Sequence, residues 1–326
     1  MMPQFSEGKT YRFSVENMAV GTTIFLAGLF KKVVLADGIA AYATPVFNAA
    51  ATGLPPSFFE SWIGALAYTL QLYFDFSGYS DMAIGLARMF GIIFPVNFHS
   101  PYKALNMIAF WRRWHMTLSR FLRDYLYFAL GGNRNGKVRR YVNLMITMVL
   151  GGLWHGAGWT FVFWGGLHGL YLVVNHFWRN LREAMGQDLT HSTGVGRATS
   201  RAVTFLAVVL AWVFFRATSF HAATVLLAAM FHPAGTTVAT TNLIDDEAVA
   251  AGWIAVLLLL VWFAPNTQEW MARFHPTLDP NFARTSDSTR YPVWQMTVPW
   301  AVVTGIIGGI SIVALSRTSE FLYFQF

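Results

Sequence analysis

Cysteine is absent from this 326-residue sequence, and Asp, Glu, Lys and Arg together make up only 12% of it. The lack of cysteine excludes disulfide bonds, thiolate nucleophiles and cysteine-ligated metal. A soluble domain carries about 25% charged residues, so this chain has roughly half the charge that a water-facing surface needs. A soluble enzyme, a disordered chain and a nucleic-acid-binding module are therefore disfavoured, and we expect no nucleic-acid partner.

Apolar residues are abundant instead. They form 55% of the chain, with 29 Phe and 13 Trp, and the mean hydropathy is +0.43. A membrane-spanning helix needs about 20 mostly apolar residues. The sequence predicts an all-α, polytopic transmembrane bundle with seven or eight membrane segments. They lie near 17–36, 58–77, 141–163, 164–178, 202–218 (or 202–231), 249–265 and 297–316, with 81–95 as a short re-entrant or partly buried helix.

The net charge of +7 is concentrated in one stretch. Residues 101–140 contain nine Lys or Arg and one acid, Asp124, whereas the other 286 residues hold 14 basic and 15 acidic groups. Short cytoplasmic loops of membrane proteins carry an excess of Lys and Arg. The stretch 101–140 is therefore predicted to be a cytoplasmic loop.

The apolar residues of this basic stretch follow a helical period. A helix over residues 110–128 places its large apolar side chains on one arc and five charged groups on the opposite arc. This pattern predicts an amphipathic helix that lies in the interface or against the bundle. His115 falls inside the apolar arc, so we expect its imidazole to face inward. The charged arc contains Arg112, Arg113, Arg120, Arg123 and Asp124.

Ionisable residues within apolar segments are candidates for function, and His155 is the central one. It lies in the sequence LGGLWHGAGW, where glycines leave space for a long substrate around the ring. Imidazole is the usual general base for a hydroxyl proton. The alternative is a packed histidine among glycines that serve close helix packing. For His168 we favour a structural role. No HExxH-type spacing relates His115, His155 and His168, so no metal site is predicted.

Two carboxylates flank the sequence FSGYS. Asp75 and Asp81 are candidates for a substrate or proton path, and for Asp81 we favour instead a cap at the start of the 81–95 helix. Lys31 and Lys32 interrupt the first apolar run and are expected to reach the headgroups or to pair with an acid. The sequence contains neither a GxSxG elbow nor a P-loop, so it does not predict a serine hydrolase or a nucleotide site.

Long motifs of this sequence resemble the alginate O-acetyltransferase branch of the membrane-bound O-acyltransferase family. They are FLAGLFKKVVLADGIA, FDFSGYSDMAIGLARMFG, NFHSPY, FWRRWHMTLSRFLRDYLYFALGGNR, LGGLWHGAGWTFVFWGGLHG and the C-terminal FLYFQF. The resemblance implies one integral-membrane domain over residues 1–326, with the motif core at about 71–178. It also implies a ring of tilted helices around a central tunnel.

The start of the chain departs from that resemblance. The sequence MMPQFSEGKTYRFSVEN lacks the apolar core of a signal peptide, so we expect the first membrane segment to be retained. Related proteins generally begin with several further membrane helices. We therefore expect a bundle that lacks N-terminal helices.

The resemblance also implies residue roles. His155, in the WHG motif, corresponds to the family's catalytic histidine, and His115, in the RWH motif, to its second histidine. Trp154, Arg112, Arg113 and Asp75 are predicted to bind substrate; the arginines suit the phosphates of coenzyme A.

We therefore expect an O-acetyltransferase of the bacterial inner membrane, in contact with membrane lipid. It would hold no bound cofactor, take acetyl groups from a cytoplasmic thioester such as acetyl-CoA, and act with periplasmic acetyltransferase partners on an alginate- or cellulose-like exopolysaccharide. The alternatives are a non-enzymatic channel or carrier subunit for an acyl donor, and D-alanyl transfer to a cell-wall polymer.

Overall fold

The computed structural model describes residues 2–188, 193–232, 242–279 and 291–316, and every regular element in these ranges is helical. The C-terminal FLYFQF motif lies outside the described residues. The helices are α1 (Val15–Phe30), α2 (Asp37–Ala51), α3 (Phe58–Met89), α4 (Met107–Trp111), α5 (Met116–Phe121), α6 (Gly136–His155), α7 (Trp159–Ala184), α8 (Gly194–Arg216), α9 (Phe220–Phe231), α10 (Glu247–Phe263), α11 (Thr267–Trp270) and α12 (Val298–Ala314).

The described residues group into two compact units, each assembled from distant parts of the sequence. The first combines residues up to 40 with 70–100 and with those from 255 onward, and the second combines 41–69 with 101–254. Each unit therefore contains segments that are far apart in the sequence. That residues 1–326 form one domain stays a prediction.

Within the described ranges, two helical stretches are long and apolar enough to cross a membrane. They are 15–51, which joins α1 and α2, and α8. The shorter α9, α10 and α12 are also apolar, and α10 and α12 match the predicted segments 249–265 and 297–316 within two residues. The alternative extension of the 202–218 segment to 231 is wrong, because α8 ends at Arg216 and Ser219 caps a separate helix, α9.

A π-helical turn over Lys31–Ala36 joins α1 to α2. In this turn Lys31 pairs with Asp81 at 2.5 Å, and Lys32 pairs with Asp37 at 2.7 Å. π-helical turns occur mostly as single inserts in α-helices. The two ion pairs confirm one of the two expectations for Lys31 and Lys32, that they pair with an acid.

Helix α3 is one continuous helix, so the prediction of a separate helix over 81–95 is wrong. Asp81 lies well inside α3 and is not an N-cap. Besides Lys31, its carboxylate accepts hydrogen bonds from Thr267 and Gln268 of α11, at 2.5 and 3.0 Å. The α11 partners of Asp81 are thus almost 190 residues away in sequence, so a local capping pattern could not predict them.

Glycines bring α1 and α3 together in the first unit. A Cβ on Gly21 would lie 2.6 Å from the carbonyl oxygen of Gly85, and one on Gly28 would lie 2.6 Å from that of Gly78. Each contact is closer than real Cβ atoms allow, so both positions require glycine. The two helices thus pack backbone to backbone, which is how small residues serve helix association in membranes.

Candidate active site

The site is built on a tight hairpin of α6 and α7, joined by the three residues 156–158. A Cβ on Gly152 would overlap the carbonyl oxygen of Phe161, and one on Gly165 would overlap that of Met148. The two backbones are therefore in direct contact. The predicted single segment 141–163 is wrong, since α6 ends at His155 and α7 begins at Trp159.

His155 is held among aromatic rings at the end of α6. Its ring centroid lies 5.3 Å from that of Trp164, 5.1 Å from that of Phe215 and 5.1 Å from that of Trp154. The imidazole remains partly exposed, and the neighbouring Trp154 is 56% exposed. His155 is therefore packed against three aromatic rings without being fully buried.

His115 lies in the turn between α4 and α5 with a left-handed backbone, φ 42°. Its side chain is buried, with 9% of the residue exposed, and its ring centroid is 6.3 Å from that of Trp154. The inward orientation expected for His115 is confirmed. The indole of Trp154 contacts both imidazoles, so the structure brings His115, Trp154 and His155 together.

The prediction of one continuous helix over 110–128 is wrong. The chain instead forms α4, a turn, α5 and a π-helical turn over Leu122–Tyr127. Phe110 and Trp114 stack on each other at 5.7 Å, and both stack on Tyr102, at 6.4 and 6.0 Å. This stacking of buried rings overrides the helical period, because aromatic pairs contribute about 0.5–1.5 kcal/mol beyond their burial.

Residues 107–132 run along the α6–α7 hairpin and are not a simple loop. At one end the backbone N–H of Ile108 donates to Asn175 of α7 at 3.3 Å, and Asn143 of α6 donates to the carbonyl of Gly132 at 2.9 Å. In between, His115 reaches Trp154, which is about 16 Å further along α6 than Asn143. The segment therefore enters alongside the hairpin and returns, and its cytoplasmic location stays a prediction.

The only acid of the basic stretch is exposed and paired. Asp124 accepts a 2.7 Å hydrogen bond from Arg123, and this guanidinium lowers the pKa of the Asp124 carboxyl. The acid therefore stays ionised and offsets one of the nine basic groups of the stretch.

His168 is completely buried in a cage of aromatic rings. Its ring lies 4.9 Å from that of Trp164, 5.2 Å from that of Trp111 and 6.1 Å from that of Phe110. Neither ring nitrogen has a hydrogen-bond partner among the described residues. His168 thus lies behind Trp164, the ring that also contacts His155. Within the described ranges, no three His, Asp or Glu side chains converge as metal ligands do.

The two predicted substrate-binding arginines lie beyond α4. Arg112 is exposed and Arg113 is half-buried. The charges of Arg112, Arg140 and Arg179 all act on His176, and Arg140 lies 2.8 Å from a ring nitrogen of His176. His176 is about 18 Å along α7 from Trp164, so this basic cluster is separate from the His155 site.

Asp75 belongs to the first unit, where it is buried and lies 2.6 Å from the amine of Lys32. Lys32 also pairs with Asp37, so one amine faces two carboxylates. This ion-pair network gives Asp75 a structural partner. Its predicted role in substrate binding stays a prediction.

Trp164 and Phe215 were missed by the sequence reasoning. Trp164 lies in the sequence WGGLHG, in which the predicted role concerns only the histidine, His168. Phe215, at the end of α8, is 60 residues from His155 in sequence, and no local pattern links them.

A known protein family matches the part of the chain that contains this site. Residues 2–215 match the profile described as "MBOAT, membrane-bound O-acyltransferase family". That range contains every site residue predicted from the sequence.

Three curated relatives illustrate the range of names. The chain is 48% identical over 230 residues to the peptidoglycan O-acetyltransferase of Helicobacter pylori, a match that covers 71% of this chain and 42% of that protein. It is 38% identical over 314 residues to the probable alginate O-acetylase AlgI of Pseudomonas putida, covering 96% of this chain and 62% of that protein. It is 30% identical to the teichoic acid D-alanyltransferase of Streptococcus thermophilus, over 57% of this chain and 51% of that protein. The chain thus spans about half the length of the curated relatives it matches.

Proposed function

Because the chain belongs to the membrane-bound O-acyltransferase family, we propose that it is an integral-membrane O-acetyltransferase in which His155 is the general base. It would take an acetyl group from a thioester donor and serve the O-acetylation of a bacterial glycan. The observation that carries this proposal is the position of His155, which is packed against three aromatic rings without being fully buried.

The proposed reaction is an acyl transfer. His155 removes the proton from an acceptor hydroxyl, and the resulting oxygen attacks the thioester carbonyl carbon. A new C–O bond forms, the C–S bond breaks, and the thiolate leaves and takes up a proton. Imidazole suits the first step because its ordinary pKa lies near neutral pH.

His115 would assist from its position beside Trp154. Both imidazoles contact that indole, and His115 is fixed by burial and by its left-handed backbone. A fixed donor near the reacting carbonyl stabilises the oxyanion that develops during attack. We assign this role to His115 and the packing of the acyl group to Trp154.

Arg112 would contribute to donor binding through the basic cluster around His176. Arg140 contacts His176, and Arg112 and Arg179 lie near enough to act on it electrostatically. Such guanidinium groups suit the phosphates of coenzyme A, because arginine binds phosphate through two parallel hydrogen bonds. The cluster is about 18 Å from Trp164 along α7. A long donor such as acetyl-CoA is able to bridge such a separation.

The acceptor would be a glycan hydroxyl, reached directly or through partner acetyltransferases outside the membrane. Relatives that are 48% identical over 230 and 219 residues are named for peptidoglycan and for alginate acetylation, respectively. Both polymers present sugar hydroxyls, so the same chemistry serves either. The D-alanyl alternative rests on the lower 30% identity.

Polymer analysis identifies the acceptor. The gene is deleted in its native host, and peptidoglycan and exopolysaccharide are purified from the deletion strain and from a complemented strain. NMR of each polymer then measures ester acetyl groups and D-alanyl esters. Loss and recovery of acetyl esters on one polymer supports the proposal, whereas unchanged acetyl content on both contradicts it.

A further inference from the structure

A cavity lies in the first unit, apart from the residues of the candidate active site. It has a volume of about 690 Å³ and opens where α1 begins and α3 ends. Its polar lining includes Glu16, Arg88, Arg273 and His275. Cavities of about 300–1,000 Å³ are typical of small-ligand sites.

Arg88 is the buried cation of this cavity. Only 8% of the residue is exposed, and its Nε donates no hydrogen bond within the described part of the chain. Among the described residues, it forms an ion pair with Glu16 at 3.4 Å, and the side chain of Glu16 is 55% exposed. This contact is a long hydrogen bond from one terminal nitrogen of the guanidinium, and it leaves the buried Nε without a partner among the described residues. A buried charged group is stable only when its donors are satisfied.

The charge of the lining is positive. Arg88 and Arg273 face one acid, Glu16, and the amide of Gln295 and the hydroxyl of Thr297 add uncharged donors. Guanidinium groups bind phosphate oxygens through paired, charge-assisted hydrogen bonds. We propose that this cavity is a binding site for a phosphate-bearing ligand, held by Arg88 and Arg273.

The walls of the site are fixed by contacts outside it. The side-chain amide of Gln4 exchanges two hydrogen bonds with the backbone of Ile93, at 3.0 and 2.8 Å, and Ile93 lines the cavity. Trp294 is buried next to the wall residue Phe274, with 5.3 Å between ring centroids, and its backbone N–H donates to Trp270 at 2.9 Å. A site whose walls are held in this way loses little entropy when a ligand binds.

Two sources supply phosphate at a membrane surface. One is a water-soluble nucleotide, and the other is the headgroup of an acidic phospholipid. The recognition chemistry is the same for both. The proposal is tested by ligand binding alone, so its outcome does not depend on whether the chain transfers acetyl groups.

The test measures binding to the purified 326-residue chain in neutral detergent by calorimetry. The probes are adenosine 3′,5′-bisphosphate and dioctanoyl phosphatidylglycerol. We expect at least one to bind, and we expect Arg273→Gln and Arg88→Gln each to raise its Kd about tenfold or more. Glu16→Gln removes the opposing charge and should lower the Kd. Arg197→Gln, at an exposed arginine outside the cavity, is the matched control and should leave the Kd unchanged.

The probe that binds identifies the source of the phosphate. Because Arg273 is exposed, its substitution is compatible with folding even if Arg88→Gln is not. The opposite effects of Glu16→Gln and Arg88→Gln separate ligand binding from a structural ion pair, since breaking that pair from either side would weaken the fold. Failure of both probes to bind, or a Kd that Arg273→Gln does not change, would overturn the proposal.

Discussion

His155 and Trp164 lie with their ring centroids 5.3 Å apart and their planes at 89°, although one ends α6 and the other lies in α7. Trp164 in turn contacts the buried His168 at 4.9 Å. The orientation of the proposed general base therefore depends on how closely the two helices pack. That closeness depends on glycine.

The first prediction concerns the hairpin glycines. In Gly152→Ala the new methyl group overlaps the Phe161 carbonyl, so the helices must separate. We expect the variant to lose about 1–3 kcal/mol of stability. Gly166→Ala is the control, because a Cβ there meets only Val149, at 3.8 Å. In thermal unfolding in detergent, Gly152→Ala should have a lower midpoint than the wild type, and Gly166→Ala should not. Equal midpoints for the two variants would contradict the helix packing described here.

The second prediction separates the backbone of His115 from its imidazole. Asparagine tolerates a left-handed backbone, whereas a β-branched residue does not. We expect His115→Asn to fold normally with reduced transfer activity, and His115→Val to lose about 1–2 kcal/mol of stability as well. Unfolding midpoints and acetyl-transfer rates of both variants provide the check. Equal stability of the two variants would argue against the strained turn.

Sequence reasoning located the two histidines and the inward orientation of His115, because apolar periodicity and glycine-flanked motifs are local signals. Sequence reasoning failed where contacts between residues distant in sequence determine the structure. Asp81 was assigned to a cap, yet it pairs with Lys31 and with α11. The helix expected over 110–128 is broken because aromatic rings from Tyr102 to Trp114 stack on one another. No pattern within one segment encodes such contacts.

The third prediction is a double-mutant cycle on Lys31 and Asp81. Lys31→Met leaves a buried carboxylate without its cation, which typically costs about 3–5 kcal/mol. Asp81→Asn removes the charge but keeps part of the hydrogen bonding to Thr267 and Gln268. We expect the double variant to be more stable than the sum of the two single losses predicts. Strictly additive losses, measured by chemical denaturation, would show that the pair is not coupled.

The fourth prediction concerns His168. Its ring nitrogens are buried without partners among the described residues, so an apolar ring of similar size should fit the aromatic cage at least as well. We expect His168→Phe to retain or gain stability, whereas His168→Ala opens a cavity and loses about 3 kcal/mol. Unfolding midpoints of the two variants make the comparison. A large loss in His168→Phe would mean that the imidazole has a polar role.

The most direct test of the central claim is release of coenzyme A from acetyl-CoA by the purified chain, supplied with an acceptor glycan, and compared with His155→Gln. Glutamine keeps a polar group of similar size but cannot act as a base near neutral pH. His221→Gln, at an exposed histidine of α9, serves as the control. We predict that His155→Gln lowers the rate about 100-fold or more while His221→Gln retains it. An unchanged rate in a folded His155→Gln protein would contradict the assignment of His155 as the general base.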